Sequence, residues 1–257
     1  MAAQSAVECS RRILKRKVYP MASQIRISAK GLGSIALPQF CPRCFWIRLH
    51  VQDKLPYQIF PGIFSSIDSY GKRLVHGWFD RHGSPPPWLS SLGEITGYRH
   101  PPHFSKFNVL HPETSVLLSG APDGILMRGD KSHLIVDYKT AKFTEKQDEL
   151  FPMYEVQLNA YAYIGERCGL SPVSGLALIY TEPITGESAA KKDANVTRDG
   201  FVMEFSAHIL PVQLTPDVAP RLLRKARDIY DLEHPPQALQ GCKDCPLLDT
   251  LLTVAGS

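Results

Sequence analysis

The sequence predicts an α/β fold, a central mixed sheet flanked by helices and tied at its ends by a four-cysteine centre. Three observations predict it. First, apolar runs of strand type fall at Ser115 to Met127, Ser132 to Thr140, Gly175 to Thr181 and Phe201 to Ile209. Second, stretches with helical spacing or a breaker-free helical composition fall between and around them, at 55–81, 152–167 and 215–232. Third, two C-x-x-C pairs, Cys41-Cys44 and Cys242-Cys245, sit towards opposite ends of the chain. With 257 residues, 44% of them hydrophobic, there is enough apolar material for a sizeable core. No run of about 18 apolar residues exists to cross a bilayer, so no membrane is expected.

In chain order, the first segment carries a basic cluster, Arg11, Arg12, Lys15, Arg16 and Lys17, without the apolar core of a secretion signal. Residues 1–24 are expected to be a loose basic arm, residues 25–257 a single domain, and the protein cytoplasmic. The net charge of +4 permits contact with a polyanion without requiring it. After Cys41-Pro42-Arg43-Cys44, the residues Phe45, Trp46, Ile47 and Leu49 are expected as the buried side of a helix or strand. Ile63, Ile67, Tyr70, Leu74, Val75 and Trp78 recur at helical spacing, with Ser65 or Ser66 available as N-cap. Residues 83–112 are rich in proline and predict no regular structure, either a packed insertion or a flap. Their aromatic and cationic side chains, Trp88, Tyr98, Arg99, His103, Phe104, Lys106 and Phe107, suit contact with a single nucleic-acid strand or anchorage of the loop to the core.

Gly129, Asp130 and Lys131 read as the loop of a hairpin. If Asp130 is its centre, Arg128 faces Ser132 and Asp123 falls opposite Asp137. Directly opposed residues share a face, and alternation puts Lys139 on that face and Tyr138 on the other. Two carboxylates this close repel unless a cation lies between them, and oxygen ligands suit a hard divalent ion. Pro152 then opens a helix to about Arg167, on which Gln157 and Tyr161, four residues apart, share a face. Gly175 to Thr181 suits a strand buried on both sides. Val218, Leu222, Leu223, Ala226 and Ile229 or Tyr230 would form the inner face of the last long helix. The cysteine pairs favour a metal over disulfides, because thiolates at this spacing reach one soft centre. Spacing alone favours zinc.

The residues G-A-P-D (Gly120 to Asp123), D-Y-K-T (Asp137 to Thr140) and Q-L-N-A-Y (Gln157 to Tyr161) resemble, in order and spacing, the PD-(D/E)XK nuclease superfamily. The resemblance is to its RecB-type branch, which includes CRISPR-associated iron-sulfur nucleases and the nuclease domain of bacterial helicase-nucleases. It implies a restriction-endonuclease-like core and a Mg2+- or Mn2+-dependent deoxyribonuclease. Asp123, Asp137, the carbonyl of Tyr138 and His76 would hold the ion, Lys139 would activate or orient the attacking water, and Gln157 and Tyr161 would support the site. Cys41 occupies the position of the branch's first cluster ligand, and Cys242-Lys243-Asp244-Cys245-Pro246 resembles its late group. Leu251 and Leu252 stand where a last cysteine is expected, so Cys44 would complete the set. On that resemblance a 4Fe-4S cluster is placed ahead of zinc.

The implied substrate is DNA, single-stranded or at duplex ends, and the implied role an exonuclease in CRISPR adaptation or DNA repair, with an integrase or helicase as possible partner. Two other readings remain open: a non-catalytic nucleic-acid binder with a structural zinc site, and a subunit active only with a partner.

Overall fold

In the computed structural model, residues 23–54, 62–144 and 149–256 are described. Most of the expected basic arm lies outside them. The fold is best followed outward from the hairpin, formed by β5 (Gly124–Arg128) and β6 (His133–Lys139). Its register pairs Gly124 with Val136 and Met127 with His133, so one step further out Asp123 falls opposite Asp137. The turn explains this register: Arg128 N–H donates to the Ser132 carbonyl (3.0 Å), and Lys131 adopts φ 68°. The Asp130 carboxylate accepts the Ser132 N–H at 2.8 Å, a local bond that aspartate supplies readily in turns.

Around the hairpin lies a five-stranded mixed sheet ordered β10-β7-β6-β5-β2, with β2 at Ile95–Arg99, β7 at Val173–Pro183 and β10 at Phe205–Val212. Only β6 and β7 run parallel, because the chain between them crosses over through α4 (Phe151–Arg167). A second, three-stranded sheet orders β1 (Ile25–Ser28), β4 (Val116–Ser119) and β3 (Asn108–His111).

The expectation of one strand from Ser115 to Met127 is therefore corrected. β4 and β5 belong to different sheets, and Gly120-Ala121-Pro122-Asp123 is the loop between them. Pro122 has no N–H to give a ladder. Gly120 permits the close approach, since a Cβ there would lie 2.5 Å from Cε1 of Tyr161.

Alternation along β6 sends its side chains to two cores. Ile135 joins the larger cluster with Leu158 and Ile164 of α4, Leu176 and Leu178 of β7, and Leu222 and Leu223 of α6 (Val218–Tyr230). Leu134 and Val136 join the other cluster with Val75 and Phe79 of α3 (Gly62–His82). Full burial of each large apolar side chain contributes about 1.5–3 kcal/mol. Both faces of the sheet are thus covered by helices, as the composition of β7 requires.

Helix α3 overturns most of the expected facing, keeping only Val75 of the expected residues fully buried. Only Val75 and Phe79 are buried, while Ile63 is 61%, Tyr70 64% and Leu74 41% exposed. The helix starts at Gly62, so neither Ser65 nor Ser66 caps it. Residues 83–112 are more regular than their prolines suggest, because β2 and β3 are both edge strands that prolines bracket rather than interrupt. The last predicted strand is split into β9 (Gly200–Phe201), paired with β8 (Val196–Thr197), and β10.

At the N-terminal end, Ser28 caps α1 (Ala29–Gly33), its hydroxyl accepting the Gly31 N–H at 2.9 Å. α2 (Pro42–His50) begins at the first cysteine pair and buries Phe45 and Leu49, leaving Trp46 and Ile47 half-buried. After a short helix α5 (Glu187–Ala190) and α6, the chain returns to α2 through α7 (Asp244–Ala255), where Arg43 forms a two-pronged ion pair with Asp249. The second cysteine pair lies at the start of α7.

Candidate functional site

The C-terminal end of β6 opens into a cavity of about 500 Å³ between α3 and α4, with Lys30 of α1 at its edge. Asp123, Asp137, Lys139, Gln157 and Tyr161 all line it. The hairpin register brings the first two together, and the parity of β6 turns Lys139 to the side of Asp137. The Lys139 ammonium forms an ion pair with Asp137 Oδ2 and lies 4.2 Å from the Tyr154 ring centroid. From α4, Gln157 Nε2 donates to Asp137 Oδ1 at 3.2 Å and to the Tyr161 hydroxyl at 2.8 Å.

Asp123 is fixed from two directions. Its Oδ2 accepts the backbone N–H of Tyr138 at 2.9 Å, and its Oδ1 accepts Lys72 Nζ at 2.7 Å. The same ammonium reaches Asp68 Oδ2 at 2.7 Å. Asp68 and Lys72 were not singled out from the sequence. They lie one turn apart on α3, in line with the buried Val75 and Phe79, so the stripe that α3 turns inward is half charged. Their spacing was the available clue, but it competes with the more apolar stripe through Ile63, Ile67, Tyr70 and Leu74.

His76 is not among the residues lining this cavity. It stacks on Tyr98 of β2 with ring centroids 4.1 Å apart, and His100 meets it edge-on at 5.0 Å. Burial, then the charge of His100, lowers its pKa. One turn earlier on the same helix, Lys72 is the residue beside Asp123. Tyr138 contributes its backbone to the cavity side, while its ring packs against the smaller core cluster.

The electrostatics follow from burial. Asp137 is 3% exposed, and its carboxyl is pushed up to about 6, by burial first and then by the charge of Asp123, against the pull of Lys139. Burial also raises Asp68 and the phenols of Tyr138 and Tyr161, with Asp123 or Asp137 adding to the latter two. Burial alone would lower the Lys72 ammonium, but Asp123 and Asp68 outweigh it and raise its pKa.

The donor set fits a hard divalent cation. Among the described residues, the buried Gln157 Oε1 receives no hydrogen bond, and the buried Asp137 Oδ2 meets only the Lys139 ammonium. Buried oxygens without donors are uncommon, and an ion or its water would satisfy them. Asp123 and Asp137 are the carboxylates placed to share it, with Asp68 next to them.

A second centre lies elsewhere. Sγ atoms of Cys41, Cys44, Cys242 and Cys245 all fall within 4.8 Å of one another, with Cys44 to Cys245 at 3.4 Å and both Cys41 to Cys245 and Cys44 to Cys242 at 3.7 Å. This group joins the N- and C-terminal segments, as the two C-x-x-C pairs predict. Burial opposes ionisation of Cys41, yet N–H groups of Cys44 and Leu239 bring its thiol down to about 6. Burial pushes Cys44 and Cys245 up.

Comparison with known proteins bears on the acid cavity. A family model described as PD-(D/E)XK nuclease superfamily matches residues 74–250, a span that includes every cavity residue from Asp123 to Tyr161 and excludes Cys41 and Cys44. No curated protein matches. Among solved structures, one titled "Crystal structure of SSO0001" aligns over 84% of this chain and 80% of its own, with 12% identity and a TM-score of 0.40. Among the described residues, no helix is long and apolar enough to cross a membrane.

Proposed function

We propose, from the premise that the chain belongs to the PD-(D/E)XK nuclease superfamily and is thereby a metal-dependent nuclease acting on nucleic acid, that it is a Mg2+- or Mn2+-dependent deoxyribonuclease. The observation that carries this reading is the convergence of Asp123, Asp137 and Lys139 on one cavity, where the buried Gln157 Oε1 has no donor among the described residues. Asp123 and Asp137 would hold the divalent ion, with the carbonyl of Tyr138 as a further ligand. The ion, when bound, acidifies water and offsets charge on the scissile phosphate.

Lys139 holds its ammonium beside Asp137, where it can orient water or face a phosphate oxygen. Gln157 orients the Asp137 carboxylate, and the Tyr161 hydroxyl fixes Gln157. Of the residues expected from sequence, His76 is the one this reading sets aside, and Asp68 is the neighbouring acid it adds. The preference for single strands or duplex ends, and a cytoplasmic role in CRISPR adaptation or repair with an integrase or helicase, rest on the motif resemblance alone. Residues 25–257 are taken as one nuclease domain.

The cysteine centre has two readings. The run Cys242-Lys243-Asp244-Cys245-Pro246 supports a 4Fe-4S cluster. The sulfur spacing favours zinc: a tetrahedral ion with Zn–S bonds of 2.3 Å needs sulfurs about 3.8 Å apart, close to the 3.4 and 3.7 Å observed. Thiolates on four separate irons would stand further apart. Absorption near 400 nm in anaerobically purified protein decides for the cluster; a colourless protein with stoichiometric zinc decides for the ion.

The test of the activity is incubation with labelled single- and double-stranded DNA, with Mn2+ or with chelator. Cleavage should need Mn2+ and vanish in Lys139→Ala with the circular dichroism unchanged. Equal cutting by Lys139→Ala, or in chelator, overturns the assignment.

A further inference from the structure

Beside the acid cavity lies a groove of about 620 Å³, whose lining includes Arg26, His50, Lys54, Phe104, Gly120 and Tyr230. The two hollows meet at the loop that also carries Asp123. Gly120, its first residue, lines the groove and abuts Tyr161, which lines the cavity. Gly120 and Asp123 are three peptide steps apart, so at most roughly 11 Å separates them. Ser28, the cap of α1, lines the groove, and Lys30, within α1, lines the cavity.

The groove's walls are aromatic and cationic. On one side His50 is stacked between Trp46, with centroids 3.7 Å apart, and Tyr230, at 4.4 Å. The indole N–H of Trp46 donates to the Leu232 carbonyl at 3.1 Å, which ties this stack to the end of α6. Phe104, also in the lining, is 50% exposed, with the ring of His103 tilted against it at 4.2 Å. The Arg26 guanidinium lies 5.7 Å from its centroid and is steadied by a 3.1 Å bond from Nε to Ser119 Oγ. Lys54 adds a second exposed cation. Among the described residues of the lining, the one acid, Asp53, is already paired with Arg48 at 2.9 Å.

We propose that this groove is a single-stranded nucleic-acid subsite. Phe104 would stack an unpaired base, Arg26 and Lys54 would meet backbone phosphates, and the strand would pass over Gly120 into the acid cavity. Planar groups together with cations are what a single strand requires, whereas a duplex keeps its base faces hidden. This rests on the nuclease reading only for the direction in which the strand leads. It goes beyond that reading in placing the strand on named residues outside the acid cavity.

The test is binding in chelator, where nothing is cut. Fluorescence anisotropy with a labelled oligothymidylate gives the affinity of wild type, Phe104→Ala and Lys54→Gln, each checked for an unchanged melting temperature. Loss of one stacked base, at the low end of about 1 kcal/mol, predicts at least a roughly fivefold weaker affinity for Phe104→Ala. Blunt duplex binding should change less. Lys54→Gln, on an exposed side chain, should reduce the slope of log affinity against log salt by about 0.7. If both variants bind the single strand within twofold of wild type with the same salt slope, the groove is not its site. Wild-type binding that Phe104→Ala weakens, in a protein that cuts nothing with any divalent ion, sinks the nuclease reading and leaves the groove standing.

Discussion

Replacing Asp137 with asparagine should separate the stability of the metal-free protein from its affinity for a cation. Asp137 is 3% exposed, and its pKa is raised from an ordinary 3.8 to about 6. A raised carboxyl is held more easily protonated in the folded chain than in the unfolded one. Its contribution is therefore complete below about pH 4 and is lost as the pH climbs through about 6. A shift of this size corresponds to roughly 3 kcal/mol.

In chelator, the stability of wild type relative to Asp137→Asn should therefore fall by about that amount between pH 4 and pH 7, because the amide never ionises. Urea denaturation at a series of pH values measures the difference and cancels every other titrating group common to both proteins. Adding Mn2+ at neutral pH should reverse the trend in wild type alone, by about 2.7 kcal/mol at a hundredfold excess over Kd. A difference that stays flat from pH 4 to pH 7 would refute the buried, disfavoured carboxylate. Equal Mn2+ stabilisation of both proteins would refute Asp137 as a ligand.

Two further outcomes follow from the same geometry. Lys72 occupies the space between Asp68 and Asp123 with its own positive charge. Lys72→Gln should thus tighten Mn2+ binding severalfold by isothermal titration, and unchanged or weaker binding would show that the ammonium does not compete with the ion. The cysteine centre closes a loop containing the five-stranded sheet together with β3 and β4, so Cys242→Ser, or prolonged chelation of the thiolate-bound metal, should lower the melting temperature by several degrees. A melting temperature that does not move would mean that the four thiols hold nothing.

Local chemistry is what the sequence makes legible. The opposition of Asp123 and Asp137 follows from the turn at Gly129-Asp130-Lys131, since the register of a hairpin depends on its loop alone. The Gln157 and Tyr161 pairing follows from helical spacing within α4. The cysteine clasp is non-local, but the C-x-x-C spacing marks both halves, and thiolates have few other uses at that spacing. By contrast, β2 and β3 are hidden among prolines because an edge strand tolerates them on its borders, and which strand becomes an edge is settled by the whole sheet.

Helix α3 shows why facing can be illegible even when the helix is not. It carries two stripes of equal periodicity. One is apolar through Ile63, Ile67, Tyr70 and Leu74; the other runs from Asp68 and Lys72 to Val75 and Phe79. Hydrophobicity alone selects the first, yet the structure buries part of the second. The choice becomes intelligible only once Asp123 is in place. An ammonium that bridges two carboxylates can be half-buried at little cost, whereas a carboxylate pair without it repels. The orientation of α3 thus depends on the acid site it flanks, and a sequence reading that does not first assemble that site will turn the helix the wrong way.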